Sequence, residues 1–242
     1  MSDAVASAEP RAALIELRQI RRSFGSGSVQ VRALDGIDLR IAEGEFVAIM
    51  GPSGSGKSTA MNLIGCLDTA SSGSYRFRGI PVETLDRHRR ALLRRNFIGF
   101  VFQGFNLLQR TSALENVELP LVYRGLSVAE RRQRALAALH AVGLRGREDR
   151  TPGELSGGEQ QRVAIARAIV SDPAVVVADE PTGNLDTRTS REIMDLLTRL
   201  NRERGITIVM VTHEPDMAAY AERVIRFVDG RIADDRLNTR VA

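Results

Sequence analysis

The chain has 242 residues, of which 43% are hydrophobic and 26% are charged, and its formal net charge is +4. This length is sufficient for one large domain with a buried core, and the ordinary apolar fraction excludes a wholly disordered chain. The single cysteine, Cys66, excludes a disulfide scaffold and indicates a reducing compartment.

The sequence contains no candidate membrane span. Apolar runs such as 46–50 and 174–178 are far shorter than the roughly 20 residues that a bilayer requires. The first ten residues carry an early acid and lack the apolar segment of a secretory signal. We therefore expect a soluble, cytoplasmic protein.

The basic residues are unusual, because one of the 34 is lysine and the other 33 are arginine. The basic excess could indicate nucleic-acid binding, but 30 acidic residues are interspersed with it, so we expect no nucleic-acid partner. The densest basic run, 87–95, fits a solvated helix face or a contact with an acidic surface. The lone lysine, Lys57, lies in a glycine-rich segment, where the flat head of arginine could not replace a compact ammonium.

The N-terminal half of the chain predicts short strands. Apolar patterns place these strands at 14–22, 34–41, 46–50, 73–78 and 98–102. A glycine–serine turn at 25–28 separates the first two. The strand at 46–50 is apolar on both faces, which is typical of a central strand in a parallel sheet, and a helix follows it.

From about residue 86 to residue 171 the pattern becomes helical. A strand at 174–178, a helix closed by Gly205 and a strand at 206–211 then follow. Alternating strands and helices predict a doubly wound parallel sheet. The sequence therefore indicates an α/β core with a helical insertion near 86–165.

The segment GPSGSGKS, residues 51–58, matches G-x-x-x-x-G-K-S and lies between a buried strand and a helix. Its small residues allow backbone N–H groups to turn toward phosphates, and the positive end of the helix points at them. We expect Lys57 to reach the β- and γ-phosphates and the Ser58 hydroxyl to hold Mg²⁺. The predicted ATP-binding residues here are Gly51, Pro52, Ser53, Gly54, Ser55, Gly56, Lys57, Ser58 and Thr59.

Two carboxylates, Asp179 and Glu180, follow the buried strand 175–178. Ligands of open α/β sheets bind at the carboxyl ends of strands, which is the edge where the phosphate-binding segment lies. Alone, two acids before a proline turn could simply end a strand. Beside a phosphate site, we expect Asp179 to bind Mg²⁺ through water and Glu180 to orient or deprotonate an attacking water.

The segment LSGGEQQR, residues 155–162, has a capping-box spacing between Ser156 and Glu159. Any helix can begin in this way. The two glycines after the cap leave the first N–H groups bare, as an anion site requires. Nothing in the local sequence says whose phosphate would bind there.

Five segments occur in the order GPSGSGKST, FVFQGFNLL, LSGGEQQR, VVVADEPTGNLD and VTHE. Together they resemble the nucleotide-binding subunit of ABC transporters, and the resemblance covers about 14–235. FNLLQRTSALENVELPL and DEPTGNLD look like the subgroup of macrolide-export, lipoprotein-release and cell-division ATPases. The resemblance implies one domain over 1–242. It would have a P-loop NTPase core at about 12–85 and 166–236, an antiparallel β edge and a helical subdomain at about 86–165.

The resemblance also implies roles for further residues. Phe24 would stack on adenine, where many relatives have tyrosine. Gln103 would sense Mg²⁺ and the attacking water, and His213 would contact the γ-phosphate. Asp186 would cross a dimer interface. The segment that would close over the γ-phosphate of a second subunit is Leu155, Ser156, Gly157, Gly158 and Glu159. The implied catalytic residues are thus Gln103, Glu180 and His213, and the implied Mg²⁺ ligands are Ser58, Gln103 and Asp179.

The function implied is that of an ATPase that binds Mg-ATP in a head-to-tail dimer. It would power a separate membrane permease from the inner face of the cell membrane, for export or for extraction from the membrane. Phe105, Leu107 and Leu108 would help to dock a cytoplasmic helix of that permease. One alternative is an ATPase that regulates a membrane partner mechanically. Another is a soluble ABC-type ATPase of DNA repair or translation, whose coiled coils, zinc modules or second cassette would not fit into 242 residues.

Overall fold

The computed structural model describes residues 11–25 and 30–238. Most of the glycine–serine turn predicted at 25–28 lies outside the described residues, and so does the segment 1–10, where we expect no secretory signal. Within the described part of the chain, no helix combines the length and the apolar composition needed to cross a membrane.

A six-stranded sheet forms the centre of the described structure. Its strands are β3 (Phe46–Met50), β6 (Ile98–Phe102), β7 (Val175–Asp179), β8 (Thr207–Val211), β9 (Arg223–Val228) and β10 (Arg231–Leu237). They lie in the order β10–β9–β3–β8–β7–β6, and all neighbours are parallel except β10 and β9. Strands β3, β7 and β8 are buried on both faces, which explains why they read as continuous apolar runs.

A second, antiparallel sheet packs against the first. Its strands are β1 (Ala13–Phe24), β2 (Val31–Ala42), β4 (Ser72–Phe77) and β5 (Ile80–Pro81), in the order β2–β1–β4–β5. Helix α1 (Lys57–Ile64) contributes its buried face to the apolar core shared by the two sheets. The predicted α/β fold with an antiparallel edge is therefore confirmed.

Five helices of the described structure enclose a second core on the opposite face of the main sheet. They are α3 (Ala113–Tyr123), α4 (Val128–Ala141), α5 (Gly157–Ile169), α6 (Thr187–Arg204) and α7 (Pro215–Ala218). Helix α2 (Arg87–Phe97) instead packs on the first core through Leu93. Single 3₁₀ turns lie at Val82–Thr84 and Pro152–Glu154. The range 86–165 also contains β6, which is a strand of the main sheet.

Strand β3 separates the two cores. Val47 and Ile49 project into the core around α1, whereas Phe46 and Ala48 project into the core under the helices. This division follows from the two-residue period of a strand, which sends alternate side chains to opposite faces. Each face therefore needs its own apolar set.

The strand register brings separate chain segments to one edge of the sheet. Ile49 pairs with Val211, Val211 with Asp179, and Asp179 with Phe102, so these four residues form one row across the sheet. Because the four strands are parallel, the segments that follow them all emerge at the same edge. The predicted phosphate segment, the carboxylate pair, His213 and Gln103 all lie in those segments.

One expectation is wrong. Leu107, which we expected to dock a partner, is only 7% exposed and packs in the helical core. Its neighbour Leu108 is 50% exposed. The exposure of the two neighbours differs because the loop after β6 turns back onto α3. Leu107 faces the core there, and Leu108 faces solvent.

Asn116 fixes this loop. The side chain is fully buried in α3, and its Oδ1 accepts a hydrogen bond from Leu108 N at 2.8 Å. Its Nδ2 donates to Thr111 Oγ1 at 2.8 Å and to Ser112 O at 3.0 Å. One amide therefore satisfies several polar groups of the turn that leads from β6 into α3.

We predict that Asn116→Ala lowers the free energy of unfolding by about 2 kcal/mol, because it deprives the Leu108 N–H of its acceptor and removes a fully buried side chain that holds the turn. Urea denaturation followed by circular dichroism measures this change. Gln133→Ala, on the exposed face of α4, is the matched control and is expected to shift stability by less than about 0.5 kcal/mol. Equal stability of the two variants would contradict the role of Asn116.

Candidate active site

The phosphate loop, residues 51–58, leads directly from β3 into α1. Gly56 occupies the N-cap position of α1, and no side chain in the described structure caps this helix. The first N–H groups of an uncapped helix have no internal acceptor, and the helix dipole adds positive potential there. The loop therefore presents open donors to an anion.

Two glycines allow the loop to pack against other backbone segments. Gly51 has φ of 150°, and a Cβ there would lie 2.2 Å from Phe227 O. Gly56 has φ of 100°, and its Cβ would lie 2.5 Å from Ala33 O. Any larger residue would push the loop off β9 or β2. Gly51 and Gly56 are thus required by the backbone segments that pack against the loop.

Lys57 is held inside the loop. Its Nζ donates to Gly51 O and to Pro52 O, each at 2.7 Å. These two hydrogen bonds fix the position of the ammonium against the backbone of the loop. The buried Ser55 hydroxyl has no partner among the described residues, so the loop also contains a polar atom that a bound ligand or water can satisfy.

Asp179 and Glu180 lie at the end of β7, as predicted, and both are half-buried. Burial raises the pKa of Asp179, and the neighbouring Glu180 raises it further, whereas the charge of Lys57 lowers it. The two carboxylates thus form a compact acidic group at the end of β7, within electrostatic reach of Lys57.

Glu180 has a strained backbone and a defined side-chain partner. Its φ is 44°, and its N–H donates to Val211 O at 2.9 Å. Nδ1 of His213, on the segment after β8, donates to Glu180 Oε1 at 2.8 Å. Strain of this kind persists only where surrounding contacts impose it, and it is concentrated at functional sites. The structure therefore brings two predicted catalytic residues into direct contact.

The oxygen donors of the site suit Mg²⁺, which prefers hard oxygen ligands. Ser58 and Asp179 supply a hydroxyl and a carboxylate at this edge of the sheet. Among the described residues, no group of three or more His, Cys, Asp or Glu side chains could hold a metal ion. The protein alone therefore offers an incomplete ligand set, which phosphate oxygens and water would have to complete.

Gln103 follows β6 and is bonded to the turn beyond Glu180. Its Nε2 donates to Asn184 Oδ1 at 3.2 Å, and Asn184 Nδ2 donates back to Gln103 O at 3.0 Å. Asn184 was not predicted as a site residue, although it lies within the DEPTGNLD segment. This reciprocal pair holds Gln103 at the same edge as the carboxylates.

The predicted signature segment begins α5 with a complete capping box. Glu159 N–H donates to Ser156 Oγ at 3.3 Å, while Ser156 N–H and Oγ–H both donate to Glu159 Oε2 at 2.9 Å. Arg147 Nε donates to the other carboxylate oxygen at 2.9 Å. These hydrogen bonds lower the pKa of Glu159. Leu155 is buried beside the cap.

The signature segment borders a surface groove of about 310 Å³. Asp186 lies in the same groove and caps α6, accepting hydrogen bonds from Arg188 N and Thr189 N at 3.0 Å and from Thr189 Oγ1 at 2.5 Å. The Thr189 hydrogen bonds lower the pKa of Asp186. Its capping role was not predicted, although an Asp before a helix is a known start signal. The structure thus groups Asp186 with Ser156, Gly157, Gly158 and Glu159.

Gln161, in the same helix, was also missed. It is fully buried and donates through Nε2 to Pro181 O at 2.5 Å. The signature helix is therefore bonded to the residue that follows Glu180.

Phe24 ends β1, as far as the described residues show, and is 44% exposed. The Arg22 guanidinium lies 4.5 Å from the centroid of its ring. The ring is therefore available at the surface, as an aromatic platform requires.

Residues 34–183 match the family described as ABC transporter. The chain is 54% identical over 222 residues to the macrolide export ATP-binding/permease protein MacB of Marinobacter nauticus, covering 92% of this chain and 34% of that protein. Against MacB of Hyphomonas neptunium the identity is 52% over 229 residues, covering 95% and 35%. The chain thus spans about a third of the length of these curated relatives.

Solved structures agree with this result. The dimeric, post-hydrolysis structure of the ATP-binding cassette MJ0796 bound to ADP and Pi superposes with a TM-score of 0.84 at 45% identity, over 92% of this chain and 98% of that chain. The structure of cbiO1 from Clostridium perfringens, part of the ABC transporter complex cbiONQ, gives 0.86 at 32% identity, over 96% and 91%. The resemblance stated from the sequence is confirmed. The chain belongs to the ABC transporter family, as one of its ATP-binding cassettes.

Proposed function

We propose that this chain binds and hydrolyses Mg-ATP in a head-to-tail dimer and powers a membrane permease. The observation that carries the proposal is the row of strand ends Ile49, Val211, Asp179 and Phe102, because it gathers the residues of a hydrolytic site at one edge. The relatives named as export ATP-binding/permease proteins support export, or extraction from the membrane, as the work performed.

ATP binding begins at the phosphate loop. Lys57 exchanges its two carbonyl acceptors for β- and γ-phosphate oxygens, and the open N–H groups of α1 receive the same phosphates. Phe24 stacks on the adenine. When bound, Mg²⁺ neutralises charge on the phosphate oxygens, and Ser58, Asp179 and Gln103 would hold it, directly or through water.

Hydrolysis depends on the contact between Glu180 and His213. Glu180 orients the attacking water and accepts its proton, while His213 holds the carboxylate through Nδ1 and turns the rest of its ring toward the γ-phosphate. Gln103 reaches the same water from β6. Its bond to Asn184 keeps it in place when no ligand is bound.

The signature residues 155–159 act on the nucleotide of the other subunit. Residues 156–159 lie in a groove of their own with Asp186, and the N–H groups of Gly157 and Gly158 form a second anion site in this proposal. In a head-to-tail dimer this groove covers the phosphate loop of the partner. The dimeric state of the MJ0796 structure supports this arrangement.

The permease is proposed to bind a groove of about 700 Å³ along the free edge of β6. Apolar residues of this groove include Leu67, Phe102 and Tyr123, and Arg94 and Arg95 add positive charge. We propose that the occupant is a cytoplasmic helix of a permease on a separate chain, with acidic residues facing the arginines. The cassette would then lie on the inner face of the membrane through this contact.

Glu180→Gln tests the catalytic role. Glutamine keeps the shape of the side chain and still accepts from His213, but it takes up no proton, so we expect ATP hydrolysis to fall by about a hundredfold or more. ATP binding persists, and the variant forms a stable dimer in ATP, which size-exclusion chromatography measures.

The control is the same variant with Lys57→Ala added. Loss of the lysine removes the phosphate contact, so we expect no dimer at the same ATP concentration. Normal turnover by Glu180→Gln would remove Glu180 from the proposed role.

Mixing two inactive variants tests completion of the site by the partner. Lys57→Ala damages the phosphate loop and Ser156→Arg damages the signature, so each pure dimer is expected to be inactive. A mixed dimer contains one site in which both parts are intact. An equal mixture should therefore regain at most about a quarter of wild-type ATPase activity, because with random assembly half of the dimers are mixed and half of their sites are complete. Absence of recovery, with both variants folded by circular dichroism and mixed dimers detected by size-exclusion chromatography, would place both parts in one chain.

Tyr123→Glu tests the permease groove. Tyr123 is 72% exposed and lines the groove, whereas Val128 is 67% exposed and does not line it. We expect Tyr123→Glu to abolish capture of a polytopic membrane protein by the Glu180→Gln cassette from detergent-solubilised membranes of its own source. Val128→Glu should leave capture intact, and both should keep the basal ATPase activity when placed in the wild-type chain. Equal capture by the two variants would exclude this groove as the docking site.

A further inference from the structure

Arg22 packs on the ring of Phe24. Its guanidinium carbon lies 4.5 Å from the ring centroid, within the range in which a cation is attracted to an aromatic face. The two residues are separated by one position near the end of β1. One face of the Phe24 ring is therefore covered by the guanidinium.

Asp68 fixes the orientation of that guanidinium. Arg22 Nε lies 2.9 Å from Asp68 Oδ2, and Arg22 Nη2 lies 2.8 Å from Asp68 Oδ1. The side chains of Arg22 and Asp68 are only 22% and 25% exposed. One charge-assisted hydrogen bond and a second close ion-pair contact thus hold the guanidinium against the carboxylate.

Asp68 is itself held by the turn that follows α1. Its N–H donates to Asn62 O at 3.2 Å, and its Oδ1 accepts from Thr69 N at 2.7 Å. The same helix begins at the phosphate loop. Its eight residues span about 12 Å, so one short rigid element connects the phosphate-binding backbone to the support of the ring.

We propose that Arg22 is a positioning residue for ATP: anchored by Asp68, it covers one face of the Phe24 ring and holds the other face toward the adenine base. The inference rests on the proposed adenine-stacking role of Phe24. Phenylalanine has no polar atom with which to fix its own ring, and this ring is 44% exposed, so its orientation depends on what packs behind it.

The test compares Arg22→Leu and Asp68→Asn with Phe24→Ala and with the control Arg21→Leu. Arg21 lies on the same strand, but it pairs with Asp35 at 3.4 Å. For each full-length variant, the KM and kcat of ATP hydrolysis are measured, together with the inhibition constant of inorganic tripolyphosphate, which has no base.

We expect Arg22→Leu and Asp68→Asn each to raise the KM for ATP by about two- to fivefold, the loss expected for one exposed cation–π contact. The kcat and the inhibition constant of tripolyphosphate should remain unchanged, because neither variant alters the phosphate loop. Arg21→Leu should match the wild type in all three quantities.

A second readout follows the ring itself. The chain contains no tryptophan, so Phe24→Trp introduces a single fluorescent reporter. Addition of Arg22→Leu to that variant should lower its steady-state anisotropy in the absence of nucleotide, since the ring loses its support.

Three results would overturn the inference. Wild-type KM in Arg22→Leu, with a raised KM in Phe24→Ala, shows that the ring needs no support from Arg22. Equal weakening of ATP and tripolyphosphate in Arg22→Leu assigns Arg22 to the stability of the α1 turn alone. An unchanged KM for ATP in Phe24→Ala contradicts the adenine-stacking role of Phe24. The role proposed for Arg22, which depends on it, would then be wrong as well.

Discussion

The close contact between the phosphate loop and its neighbouring backbone is the constraint on which the site depends. Gly51 and Gly56 touch carbonyls of β9 and β2 at distances that no Cβ would allow. The loop is therefore shaped by both sheets at once, and its N–H groups keep their direction without a ligand. A binding site that is already ordered loses little conformational freedom when phosphate arrives. The close backbone contacts of Gly51 and Gly56 and the proposed binding of phosphate thus both depend on the shape of this loop.

The turn after β7 connects this loop to distant parts of the chain. Glu180 is bonded to His213 after β8, Asn184 to Gln103 after β6, and Pro181 O to Gln161 in the signature helix. A shift of the turn on loss of the γ-phosphate would therefore reach both the groove beside β6 and the surface proposed to meet the partner. These hydrogen bonds give a physical route by which hydrolysis at the phosphate loop would move the groove and the proposed dimer surface. Each of them joins residues that are far apart in the sequence.

The sequence predicted the parts of the structure in which local pattern and packing agree. Strands β3, β7 and β8 are continuous apolar runs because both of their faces are buried. The phosphate loop was recognised from the fixed spacing of its glycines and lysine, G-x-x-x-x-G-K-S. Strand β10 was missed because it is a charged edge strand, held to β9 by pairs such as Arg223–Asp235. Asn184, Gln161 and Asn116 were missed because their partners are distant or are backbone atoms, which no residue pattern reveals. Leu107 was misplaced because apolar character alone does not distinguish a buried contact from an exposed one.

Lys57, held between two carbonyls of the phosphate loop, is the only side-chain amine of the chain. Acetylation, ubiquitination and other modifications of lysine side chains therefore have a single possible target in this chain, and that target is the residue proposed to contact ATP. Under this proposal, modification of Lys57 would inactivate the cassette, and bound nucleotide would shield the amine. Modification of a lysine and loss of ATP binding would then be the same event, so such chemistry would leave no intermediate level of activity.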